Sequence, residues 1–236
     1  MGDAAKKWIK TGICLCSAAM LYTCSFAQEA GHDQMEGPAK PQVYSPFSLE
    51  SGGELWYPLK NYALKNNFGG VYSFHLSLQH VLYKRLYGGL ELQDNEISQV
   101  SPEAIQIAIL KTNLFFYSVG AKLSYYSSQN NDWLFSFSLV AGQSWLFYTK
   151  VSDSAAKPPG GFKKQALFFC PRICESLRVN SHLKIGVELT YTLYNYTFNP
   201  QYIGIMQSYT KQQTSGTTTL FGWGFSITYF LGKPQK

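Results

Sequence analysis

Charge is scarce in this chain. Charged residues make up 14% of its 236 positions, against about 25% in an average soluble domain. The 20 Lys+Arg against 14 Asp+Glu form no basic stripe, so the mild positive balance is no nucleic-acid footprint. No run of roughly 18 apolar residues occurs beyond the N-terminus, which excludes a helical membrane protein. A disordered chain is excluded from the other side, because 16% of the residues are aromatic. There is no zinc-type cluster, no phosphate-binding glycine loop and no Gly-x-Ser-x-Gly elbow. No metal, cofactor or catalytic set is therefore expected. One domain is, since single β-barrels reach ~200–250 residues.

Cysteine is also sparse, and its placement points to export. Lys6, Lys7 and Lys10 form a basic n-region, Thr11 to Thr23 a short apolar stretch, and Ser25-Phe26-Ala27 a small-residue cleavage site. Residues 1–27 read as a signal peptide, leaving Gln28 as the mature N-terminus. A competing reading makes Cys24 a lipidated N-terminus, although Thr23 before it fits a lipobox poorly. Cys14, Cys16 and Cys24 leave with the leader, and Cys170 and Cys174 remain. On one strand their Cα atoms stand roughly 13 Å apart, beyond the ~7 Å reach of a disulfide. They are expected as free interior thiols. A metal site there would require Pro171 to bulge the strand.

What the mature chain has in abundance is alternation with period two. It runs through Pro46–Pro58, Phe68–Leu82, Leu86–Asp94, Leu114–Tyr126, Trp133–Thr149, Ala166–Val179, His182–Phe198 and Thr217–Leu231. In the first segment Phe47, Leu49, Leu55 and Tyr57 oppose Ser48, Glu50, Gly52 and Glu54. In the seventh Leu183, Ile185, Val187, Leu189 and Tyr191 oppose Lys184, Gly186, Glu188, Thr190 and Thr192. This is the transmembrane β-strand pattern, apolar toward lipid and polar or small toward a lumen. A soluble barrel or sandwich would turn its large apolar face inward, yet here the opposite faces repeatedly carry Glu, Lys and Arg.

Connection lengths supply an independent check. Tyr83-Lys84-Arg85, Ser127–Asp132 and Asn180-Ser181 are short, whereas Asn95–Asn113, Lys150–Gln165 and Asn199–Gly216 are long. Short periplasmic turns alternating with long outer loops put both termini in the periplasm, and only an even strand count allows that. Residues 28–45 read as a periplasmic lead-in, 46–231 as the barrel and 232–236 as a tail. Tyr83, Tyr87, Tyr125, Tyr126, Trp133 and Tyr229 near the turns, and Tyr57, Trp145, Tyr148, Tyr194 and Tyr196 near the loops, are expected as interface girdles.

A cleaved leader, eight alternating strands and an amphipathic last strand, Phe221–Leu231, resemble the small eight-stranded outer-membrane β-barrel family of Gram-negative bacteria. The resemblance covers about residues 46–231 and is one of pattern. It departs at the end, where Gly232-Lys233-Pro234-Gln235-Lys236 follows Leu231 in place of a terminal aromatic. It implies an all-β, antiparallel transmembrane barrel in the cell outer membrane, in contact with its lipid.

Under this parity Glu50, Glu54, Glu91, Glu188, Lys122, Arg172, Arg178 and Lys184 all point inward. An eight-stranded barrel is only wide enough for its own side chains, and an unpaired charge there costs several kcal/mol. The structural reading is a paired network that closes the lumen; the alternative is a gated ion path whose pairs exchange. Glu175 interrupts an apolar run and marks either a bulge beside Pro171 or an interface. His75 and Ser77 share one strand face, similar to the His-x-Ser of outer-membrane lipid A deacylases. Leu78 stands where that family has Asn, and the pair faces the lumen, so a polar layer is the plainer reading. Asp153-Ser154-Ala155 resembles a short O-glycosylation acceptor. Ala104, Ile105, Ile107, Ile109 and Leu110 form a segment too apolar for a free loop, either extending the fourth strand or, behind Ser101-Pro102-Glu103, forming a short helix. An exposed apolar segment suggests a docking surface for another envelope protein. The resulting expectation is a non-enzymatic barrel acting as a structural or accessory subunit of an envelope complex.

Overall fold

A computed structural model describes residues 46–99, 110–128, 133–152, 163–180, 182–199, 209–214 and 217–231. The leader, the lead-in, the tail, Ala104–Ile109 and the glycosylation-like triplet lie outside the described residues.

The alternating segments form eight strands: β1 (Phe47–Pro58), β2 (Phe68–Tyr83), β3 (Leu86–Gln99), β4 (Leu110–Ser128), β5 (Trp133–Ser152), β6 (Lys163–Arg178), β7 (Leu183–Tyr194) and β8 (Thr218–Leu231). Each pairs antiparallel with its sequence neighbour, and β1 closes on β8 from Phe47↔Leu231 to Pro58↔Leu220. Closure abolishes free strand edges, which a membrane interior demands. Two short helices stand at the loop end, α1 (Tyr62–Asn67) and α2 (Lys211–Thr214).

The faces are inverted relative to a soluble protein. Phe74, Leu78, Leu90, Leu92, Phe225 and Ile227 on the outer face are each more than half exposed, while Ser77, His75, Glu91, Lys122 and Glu188 are buried inside. Large apolar side chains turned outward around the whole barrel, with charge inside, suit lipid and not water as the surrounding solvent.

Two inward glycines show how tightly the wall is coiled. A Cβ on Gly224 would lie 2.1 Å from the Gly53 carbonyl oxygen, and one on Gly89 would lie 2.0 Å from that of Leu78. Only glycine permits these strands to approach so closely. A register shift between Phe68 and Val71, at Gly69-Gly70, adds a local irregularity.

Several elements differ from the sequence reading. Strands β3, β4 and β5 continue past their expected ends at the loop side, so Asn95–Gln99 and 110–113 are ladder and not loop. Leu110 is the first residue of β4, paired with Ser152. Strand β7 stops at Tyr194, and Tyr196 and Phe198 beyond it fold over the lumen and are buried. Tyr87, Tyr126, Tyr194 and Tyr196 are interior residues and no part of a girdle. The physical reason is the pleat: neighbours such as Tyr125 and Tyr126 must face opposite sides. Nor does Pro171 bulge its strand. The β5–β6 register is unbroken across it, and the β6–β7 register is the same on either side, Phe169↔Leu193 and Arg172↔Thr190. Glu175 therefore keeps its outward position, opposite Phe135 and Val187. The thiols of Cys170 and Cys174 are free.

Candidate functional site

The lumen is layered. At the loop end an apolar cluster of Trp56, Leu64, Phe68, Phe116, Leu146, Phe168, Tyr194 and Phe198, among others, fills the bore. Helix α1 seats Ala63 and Leu64 in it. The helix is fixed by its cap: Asn61, at φ 65°, accepts from the Leu64 amide and donates to the Phe198 carbonyl at 3.1 Å. Asn67 donates to the Tyr209 hydroxyl at 2.7 Å. At the turn end Tyr87, Tyr126, Leu134 and Phe230 form a second, smaller cluster.

Between these clusters lies a buried charge network. Arg172 on β6 is its centre. Its two terminal nitrogens donate to Glu91 Oε2 and Oε1 at 2.8 and 3.0 Å, a bidentate pair across the barrel. The same guanidinium lies 3.3 Å from Glu54 Oε1, 3.6 Å from Glu50 Oε1 and 3.7 Å from Glu188 Oε2. Lys122 on β4 donates to Glu50 Oε1 at 2.6 Å and lies 2.9 Å from Glu91 Oε2. Glu54 also accepts from Thr190 Oγ1 at 2.6 Å and from the Trp56 indole, which ties the network to the loop-end cluster. Gln93 donates to Glu91 at 2.7 Å, and Gln79 to Glu50 at 3.3 Å. Such mutual pairing is what allows so many charges to be buried together.

The structure thus joins Glu50, Glu54, Glu91, Glu188, Lys122 and Arg172. It places Lys184 and Arg178 nearer the turn end. Lys184 sits in the turn-end cluster, its Nζ 3.9 Å from the Phe230 ring centroid and 4.7 Å from that of Tyr126. Such cation–π contacts can hold a partly desolvated ammonium. Arg178 pairs with Lys184 across the β6–β7 ladder at the mouth. The reason is axial position. Parity assigns a face, whereas height along the bore depends on register.

Sequence reasoning missed the role of His75. Its Nε2 lies 3.5 Å from Glu50 Oε1, and its Nδ1 lies 3.3 Å from Glu54 Oε1 and 3.6 Å from Glu188 Oε1. Neither ring nitrogen has a hydrogen-bond partner among the described residues. The signal was present in pairing: His75 stands opposite Gly52, midway between Glu50 and Glu54 on β1. Ser77 Oγ accepts from Lys122 Nζ at 3.2 Å, so the two residues make no nucleophile–base couple here. Donor atoms of Glu50, His75 and Glu188 lie within 4.8 Å of one another, the spacing of a group that could hold a metal ion.

No protein-family model matches the chain, and no curated protein matches it in sequence. Solved structures do. Neisserial surface protein A (NspA) superposes with a TM-score of 0.53 at 11% identity, covering 79% of this chain and 98% of that one. The outer membrane protein OprG from Pseudomonas aeruginosa gives 0.46 at 10% identity, with 80% and 96% covered. Ail, the attachment invasion locus protein of Yersinia pestis, gives 0.44 at 12%, with 79% and 99% covered. The likeness is one of fold: a closed, antiparallel, eight-stranded barrel of the small outer-membrane type.

Proposed function

We propose that the chain is a non-catalytic outer-membrane barrel with a sealed bore, acting as a structural or accessory subunit of an envelope complex. One observation carries this reading: the lumen is filled along its length by two apolar clusters and the Arg172-centred network. A filled bore leaves the outer wall and the loops as the surfaces able to act. The wall meets membrane lipid. The loop side presents α1 and the residues leading into it, where Tyr62 is 53% exposed and Leu59 43%, and the sequence adds the apolar Ala104–Leu110 segment to the third connection.

An enzyme reading needs a polar set open to lipid or solvent. His75 and Ser77 are both buried, within hydrogen-bond or ion-pair distance of residues other than each other. The experiment is gentle extraction from the native outer membrane, a native gel and identification of what co-migrates. A defined larger complex, with crosslinks from positions 104–110, is the expected result. Migration as a lone barrel overturns the subunit reading.

A further inference from the structure

The middle of the lumen carries an unbalanced charge set. Among the described residues, Glu50, Glu54, Glu91 and Glu188 face two permanent cations, Lys122 and Arg172, and the imidazole of His75. Uncompensated negative charge in so buried a place is costly by several kcal/mol per ion, so the set calls for further positive charge, from a proton on His75 or from a bound cation. Geometry indicates where. Both oxygens of Glu188 and both ring nitrogens of His75 are fully buried without a hydrogen-bond partner among the described residues.

Gly52 is what lets His75 and Glu188 approach β1: a Cβ there would lie 2.2 Å from His75 Cε1 and 2.7 Å from both His75 Nε2 and Glu188 Oε1. Any other residue at position 52 would push these two side chains away. Lys122, 2.6 Å from Glu50 Oε1, and Arg172, whose Nε is 3.7 Å from Glu188 Oε2, flank them.

We propose that Glu50, His75 and Glu188 form a buried divalent-cation site, opposite Gly52, that takes a zinc-class ion and ties β1, β2 and β7 together through the lumen. One imidazole nitrogen with two carboxylate oxygens is a donor set of borderline hardness, suited to zinc more than to calcium or magnesium. Metal–ligand bonds of about 2.0–2.2 Å place neighbouring donors roughly 3.3–3.6 Å apart. Nε2 and Glu50 Oε1 already stand 3.5 Å apart. A neutral His75 with a divalent ion balances the four carboxylates against Lys122 and Arg172. Because both ends of the bore are filled, the ion is captured as the strands close. This inference goes beyond the sealed-barrel reading and does not depend on a partner protein.

The test is to refold the full-length chain into detergent with excess zinc chloride. The folded species is then washed with EDTA and passed over a sizing column, and its metal is measured by elemental analysis. The expected result is about one retained zinc per chain, with at least a tenfold drop in His75→Gln and Glu188→Gln that still show the mobility of the folded barrel. Wild-type protein holding less than a tenth of an equivalent overturns the proposal, whether or not the variants fold. Equal zinc in wild type and His75→Gln overturns it as well.

Discussion

At the scale of the single residue, the solvent of the outer wall can be read from one leucine. Leu92 lies near the middle of β3, opposite Leu76 and Val119, and is 53% exposed. In a water-soluble barrel, arginine at so open a position would change stability by no more than about 0.5 kcal/mol. Near a bilayer midplane the same change costs about 2–4 kcal/mol. We expect Leu92→Arg to lower the unfolding free energy by that larger amount when urea titrations are run on barrels refolded into phospholipid vesicles. A change within the smaller range would mean that the face meets water or protein. The inward neighbour Glu91 belongs to a different energetic world. It is fully buried and held by Arg172, Lys122 and Gln93.

At the scale of the element, closure of β1 on β8 depends on a missing side chain. A Cβ on Gly224 would lie 2.1 Å from the Gly53 oxygen and 2.6 Å from Glu54 Cα, and backbone cannot rotate away as a side chain can. Gly53, on the opposite face of the same ladder, meets only the Ser73 oxygen at 4.0 Å. Gly224→Val is therefore expected to cost about 2–3 kcal/mol, from forcing the seam apart. Gly53→Val leaves stability near wild type. Urea midpoints of the two refolded variants check this, and equal midpoints would refute the seam argument. Strand faces were legible in the sequence because the period of two is set by the pleat, from β1 through β8. Strand ends were less legible. Asn95 to Gln99 are polar enough to read as loop, yet they continue the ladder because β2 and β4 supply partners there. Axial height was not legible at all. Lys184 and Lys122 share an inward parity, but register sends one to an aromatic cluster and the other to Glu50 and Glu91. The partners of His75 went unread for the same reason, since its carboxylate neighbours come from β1 and β7.

At the scale of the whole molecule, the question is which layer seals the bore. If the charge network alone closed it, the barrel would be a gated path, and removing Arg172 would open it. The structure argues otherwise, because Phe116, Tyr194 and Phe198 are fully buried above the network and Tyr87 below it. Arg172→Ala vacates space in the middle layer and leaves Glu91 and Glu54 without their strongest partner. That loss is expected to cost about 3–5 kcal/mol of stability, as breaking a buried ion pair does. It does not remove the rings at either end. In planar bilayers we therefore expect no stable unitary conductance from wild type, from Arg172→Ala or from Glu188→Ala, even though the arginine variant unfolds at lower urea. Discrete openings in Arg172→Ala alone would make the network the gate and the apolar layers permeable. Openings in wild type would overturn the sealed barrel altogether. The two measurements separate because stability reports the charge network, whereas conductance reports whichever layer is tightest.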